Sequence, residues 1–199
     1  LRKGTSQLLA MDSNLVLRIV NVAETLAGSR RTEQSGIKLF IGLAEALDLQ
    51  LLRPHLPVIL RLSLKRLKAS WPRPPVRRFA LPIMDLLSVL VGKHGVGVLK
   101  EGLRDTSLLH AIQKGFWADT LPKIQSSGRR KAGIIATTRM LVEDESIWAD
   151  AELVGKMVKN LVETLLSRSA ETMEKEDHLS VLEDIGDGGV SGTRLTYSR

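Results

Sequence analysis

Cysteine is absent from these 199 residues, aromatic side chains make up only 4%, and no uninterrupted apolar run approaches the roughly 18 residues that a membrane-spanning helix requires. The missing thiols exclude a disulfide framework, a cysteine nucleophile, an iron–sulfur cluster and a cysteine zinc site, and they fit a reducing compartment. With few aromatics and a hydrophobic content of 43%, any core must be built from Leu, Ile, Val and Ala. Helix-on-helix packing uses such side chains well, so helices are expected over a sandwich or barrel. The N-terminus lacks the charged-then-apolar order of a signal peptide. Leu1 stands where an initiator methionine would, which sets the expectation of a piece of a longer polypeptide.

Catalytic signatures are missing too. His55, His94, His110 and His178 show no H-E-x-x-H spacing, so no metal site is expected. The glycines between Gly92 and Gly102 form neither a P-loop nor a dinucleotide fingerprint, and no G-x-S-x-G elbow occurs. Neither an enzyme nor a cofactor of its own is expected.

What the chain does have is helical periodicity. Ile37, Phe40, Ile41, Ala44, Leu47 and Leu51 follow the i, i+3, i+4, i+7 spacing that lines one side of an α-helix. Similar stripes run through Leu15, Ile19, Val22, Leu26; Leu56, Ile59, Leu60, Leu67; Val76, Phe79, Ile83, Leu86, Leu90; Leu108, Ile112, Phe116, Leu121; Ile134, Ile135, Thr138, Leu141; and Leu153, Met157, Leu161, Leu165. Breaks separate them: Gly28-Ser29, Pro54, Trp71 to Pro75, Gly92 to Gly97, Ser126 to Gly128, and Asp150 as an N-cap. Pro82 and Pro122 fall inside expected helices and predict kinks.

The segments pair as helix–turn–helix units over about 31–69, 73–125 and 128–168, after a partial unit. Their first helices recur at Ile37, Ile83 and Ile134, close to the roughly 40 to 47 residues of a HEAT repeat. Each pair buries its stripe only against its neighbours, so the expected fold is an all-α solenoid of HEAT-type antiparallel helix pairs over residues 1–169. Residues 170–199 read as an acidic, glycine-containing tail.

Charge is divided along the chain. The total is +7, yet seven acids and three bases follow Ala170, giving a tail of −4 and a body of +11. The stretch from Leu51 to Ala80 holds eight bases and no acid. Within it, Arg61, Lys65 and Lys68 share one helix face by their spacing. That face is either a solvated edge or a docking stripe for an acidic surface. A helical-repeat nucleic-acid binder, or a HEAT scaffold for another complex, stands as the alternative function. The bases lack the interleaved aromatics of a single-strand platform, which disfavours nucleic acid. Trp71, Trp117 and Trp148 each sit near a helix end, as covers for repeat junctions or as partner anchors.

Two stretches carry a more specific likeness. Phe116, Leu121-Pro122, Ile124-Gln125, Arg130-Lys131 and Ile134 to Leu141 resemble the penultimate repeats of the importin-α re-exporters, the CAS-type exportins of the importin-β superfamily. Glu176-Asp177-His178-Leu179 and Leu182-Glu183-Asp184-Ile185 are similar to that family's acidic segment after its last helix pair. The resemblance implies a shuttling, non-catalytic receptor that carries importin-α out of the nucleus with GTP-bound Ran, the nucleotide belonging to Ran. On that reading Arg61, Lys65, Lys68, Glu183 and Asp184 are the partner-binding candidates.

Overall fold

The computed structural model describes residues 14–29, 31–70 and 77–166, except the side chains at positions 66, 68–70, 77 and 78. Leu1–Thr164 forms one compact unit and Leu165–Arg199 a second, of which only Leu165 and Leu166 are among the described residues. No strand occurs among the described residues; the long helices are α1 (Leu15–Gly28), α2 (Glu33–Ala46), α3 (Leu56–Ser70), α4 (Arg77–His94), α5 (Gly97–Leu103), α6 (Thr106–Ile112), α7 (Ser127–Glu143) and α8 (151–166). Between α6 and α7 the chain widens into a π-turn, Gln113–Trp117, and then tightens into a 3-10 turn, Leu121–Lys123.

Local chemistry sets these boundaries. The Asp105 carboxylate accepts from the amides of Ser107 and Leu108, and Asp150 accepts from Leu153, so two otherwise orphaned helix starts are capped. Gly95, at φ +86°, ends α4 in the left-handed region that a side chain resists. Pro82 lies within α4 without ending it, whereas Pro122 sits in the 3-10 turn, where its ring closes one helical run before the next.

Helices fall into two layers, as the HEAT-type α-solenoid pattern demands. In one, α4 packs between α2 and α7; in the other, α3 touches α1 on one side and α5 on the other. The core is continuous and aliphatic, with Phe40, Phe116 and Trp117 as the only large fully buried rings among the described residues. Trp117 donates from its indole nitrogen to the Thr137 hydroxyl at 2.8 Å, joining the π-turn to α7. Trp148 is 61% exposed, and Trp71 lies outside the described residues.

Two stripes differ in part from the sequence expectation. In α1 the buried residues are Val16, Val20 and Ala23, with Ile19 packed partly buried against the core and Val22 exposed; in α7 they are Arg130, Gly133, Ala136, Thr137, Met140 and Leu141, while Ile135 and Thr138 are exposed. The cause is close helix approach. A Cβ at Gly36 would lie 2.5 Å from the Ala27 amide nitrogen and 2.7 Å from the Ala23 carbonyl, and one at Gly133 would meet Leu121 at 2.9 Å. Small side chains occupy the contact and larger aliphatics are rotated to the flanks. Leu51 is likewise half-exposed, because α2 ends at Ala46 and the stripe does not continue through it.

A recurring basic clamp links successive helices of one layer. Lys93 of α4 donates to the carbonyls of Ala44, Glu45 and Leu47 at the end of α2, at 3.2, 2.8 and 2.5 Å. Arg139 of α7 donates to Val91 and Gly92 at the end of α4, at 3.3 and 3.1 Å. Each cation meets the negative end of a helix dipole among its last carbonyls, although Val91 O already accepts from the Gly95 amide at 2.9 Å and takes Arg139 as a second donor. Replacing Lys93 by Met, which keeps the stem and removes the charge, is expected to cost about 1–2 kcal/mol. The midpoint of urea unfolding should fall with an unchanged slope; an unmoved midpoint would show the clamp to be idle.

Candidate functional site

A wide concavity follows from one glycine. A Cβ at Gly102 would sit 2.5 Å from Leu60 Cδ1 and 3.3 Å from Leu56 Cβ, so α5 approaches α3 closely and the chain after it diverges. A groove of about 1050 Å³ opens between α3 and the α5–α6 segment. Leu60, Leu64 and Leu67 of α3 form one wall, and Leu103, Leu108 and Ile112 the other. The surface is almost wholly apolar.

Three cations rim it. Arg61 and Lys65 stand on the α3 side and Arg104 on the other. The Arg61 side chain is 69% exposed and forms a long ion pair with Glu24 at 3.8 Å. Arg104 occupies the C-cap of α5 at φ 56° and ψ 1°, a left-handed conformation usually given to glycine. Holding an arginine there costs about 1 kcal/mol relative to glycine, and it places a positive charge at the groove mouth. Close by, Arg53 pairs with Glu101 at 2.8 Å and Asp105 is committed to capping α6.

The sequence candidates divide accordingly. Arg61 and Lys65 come together on the rim. Lys68 follows one turn later in α3, its side chain outside the description, and Glu183 and Asp184 lie outside the described residues. Arg104 went unnoticed in the sequence, because nothing local marks a left-handed arginine and the nearby Gly102 lies two residues before the cap position.

A second, smaller recess of about 270 Å³ lies between α2, α4 and α7, with Lys38, Glu45, Asp85 and Arg129 around it. Burial pushes the Asp85 carboxyl up from its ordinary value; Arg129, 3.0 Å away, opposes this and Glu45 adds to it. At the end of α4, burial and then the neighbouring Lys93 charge push the His94 imidazole below 6.5. The folded chain therefore binds that proton less readily than the unfolded chain, and stability must fall as pH drops below 6.5 towards the folded value. His94→Asn is expected to flatten this part of the stability profile; an unchanged slope would assign it to other groups.

No group of three or more His, Asp or Glu among the described residues could hold a metal ion, and no described helix is long and apolar enough to cross a membrane. The groove supplies apolar walls and a rim of exposed cations, which is the equipment of a docking surface.

Comparison with known proteins places the fold. No curated protein matches the chain. A solved structure, "The exportin Cse1 in its cargo-free, cytoplasmic state", superposes with a TM-score of 0.63 at 21% identity, covering 78% of this chain and 17% of that one. The chain thus spans about a sixth of the exportin it matches, and the likeness is one of helical architecture. The family described as "CAS/CSE protein, C-terminus" matches residues 1–198, nearly the whole sequence, and the chain therefore belongs to the CAS/CSE family as a C-terminal segment.

Proposed function

We propose that this chain is the C-terminal HEAT segment of an exportin-type nuclear transport receptor that carries importin-α out of the nucleus together with GTP-bound Ran. The observation that carries the reading is the family match over residues 1–198, which the two-layer helical fold supports. Residues 1–169 supply stacked helix pairs and residues 170–199 an acidic tail. The receptor catalyses no reaction and needs no cofactor; GTP is held by Ran, and the complex shuttles between nucleus and cytoplasm.

Physically, a stack of helix pairs touches only its neighbours, so small changes at each interface add up to a change of curvature. Cargo and GTPase bound to distant repeats then favour the same wrapped form, and each raises the affinity of the other. Arg61, Lys65 and Lys68 are proposed as the partner-facing stripe of this segment, with Glu183 and Asp184 as contacts in the tail.

The full-length receptor should retain importin-α from solution when Ran is loaded with GTP and lose it when Ran carries GDP. Failure to bind in the GTP state removes the proposal. Reversing Arg61, Lys65 and Lys68 to Glu together is expected to weaken the assembly about tenfold or more and to reduce its salt sensitivity. An unchanged affinity would make the stripe a solvated edge.

A further inference from the structure

We propose that the groove between α3 and the α5–α6 segment receives an acidic amphipathic helix from a partner protein, apolar side chains seated on the leucines and carboxylates meeting Arg61, Lys65 and Arg104. This rests on the reading that the Arg61–Lys65 face meets a partner, and is independent of which cargo the receptor carries.

Shape supplies the first argument. The trough runs between two helical segments and is lined by Leu60, Leu64 and Leu67 from successive turns of α3, a spacing of four and three residues. A helix laid into such a trough presents residues at i, i+3, i+4 and i+7 to matching sites along it. An extended segment would need a row of backbone hydrogen-bonding groups, and the helices that form these walls have already satisfied theirs internally.

Charge supplies the second. Three acids around the groove are already engaged: Asp105 caps α6, Glu101 pairs with Arg53, and Glu24 makes a long, solvent-exposed ion pair with Arg61 at 3.8 Å, which water weakens enough for a partner's carboxylate to compete. Cations around an apolar trough select a ligand that is apolar in the middle and negative along its flanks, and they repel a basic helix of the same shape. Arg104 is the most telling member, since its backbone adopts a conformation that glycine would hold more easily while its charge remains at the mouth.

The test uses a fluorescent synthetic helix with leucines at i, i+3 and i+7 flanked by glutamates, titrated into the full-length protein and followed by anisotropy. Binding is expected to weaken about tenfold when the glutamates are replaced by lysines, and to disappear when the leucines are scrambled. Arg104→Gly should weaken it about fivefold while leaving the melting temperature equal or higher, because glycine relieves the left-handed backbone. Ala111→Trp, which fills the groove from its wall, should abolish it. Equal affinity for the scrambled peptide, or indifference to both substitutions, overturns the proposal. So does displacement of the peptide by a single-stranded oligonucleotide whose own binding is lost in the same variants, which would make the site one for nucleic acid. A photo-reactive residue at position 104 that captures residues 170–199 of its own chain in place of the peptide would overturn it in favour of an internal occupant. Peptide binding that persists where the receptor fails to retain importin-α would reject the export reading and leave the groove assignment standing.

Discussion

Gly36→Leu is expected to destabilise the protein by at least about 3 kcal/mol and to lower its melting temperature by about 10 °C, as followed by far-UV circular dichroism. The atoms in the way belong to the backbone of α1: the Ala27 nitrogen at 2.5 Å, the Ala23 carbonyl at 2.7 Å and the Ala27 Cα at 2.9 Å from a Cβ at this position. Backbone cannot rotate aside as a side chain can, so the two helices must separate and surrender the contact that buries Val16, Val20, Ile37 and Phe40. Even Gly36→Ala should be clearly destabilising. Gly42 lies in the same helix with open space around it, and Gly42→Ala should instead stabilise by about 0.5–1 kcal/mol through helix propensity alone. Opposite signs from the two substitutions are the diagnostic result. If Gly36→Leu melts like the unmodified protein, the α1–α2 crossing is wider than described.

That crossing also shows what the sequence can disclose and what it hides. Large aliphatics at helical spacing placed α3 and α4 correctly, and Leu56, Ile59, Leu60 and Leu67 are all buried. The same reasoning was only partly right for α1 and α7, where Ile19 and Leu141 meet the core but Val22, Ile135 and Thr138 do not, and the close contacts fall at Ala23, Gly36, Gly133 and Ala136. Periodicity weighs hydrophobic size, whereas a close crossing selects for its absence. Caps were legible because they are local, as the Asp150 carboxylate on the Leu153 amide demonstrates. Lys93 and Arg139 were not, because a cation that clamps a helix end some 46 to 49 residues away looks like any other surface base. The groove was half visible: Arg61 and Lys65 declared themselves by charge, while Arg104 and the apolar floor depend on how α5 meets α3.

The second large effect is expected at Asp144, where a fully buried carboxylate joins three parts of the chain. Its Oδ1 accepts from the Ser146 amide at 3.2 Å, the Ser146 hydroxyl at 2.6 Å and Lys100 Nζ at 2.9 Å, and its Oδ2 accepts from Gln113 Nε2 at 2.9 Å. Burial alone would push the carboxyl up; the hydrogen bonds from Ser146, Lys100 and Gln113 outweigh it and hold the group below 3.8. Asp144→Ala removes the acceptor for α5 and the π-turn together and should cost about 3–4 kcal/mol. Asp144→Asn should cost less, about 1–2 kcal/mol, since the Gln113 Oε1, buried without a hydrogen-bond partner, can turn to accept from the new amide.

The pH dependence separates charge from packing at this joint. Because the folded chain holds the Asp144 proton less tightly than the unfolded chain, its stabilisation is complete above 3.8 and is lost as pH falls through the lower folded value. Glu143 and Asp150 are depressed as well, through the Val96 amide and the Leu153 amide respectively, so the acid limb persists in any single variant. Asp85, raised by burial, contributes with the opposite sign. The informative quantity is therefore the difference in unfolding free energy between the unmodified protein and Asp144→Asn. It should stay level above pH 4 and shrink towards about pH 2. A difference that remains constant through that range would mean the carboxylate is not the group that fixes α5 and the π-turn to the end of α7, and that this junction is as free to bend as the others in the stack.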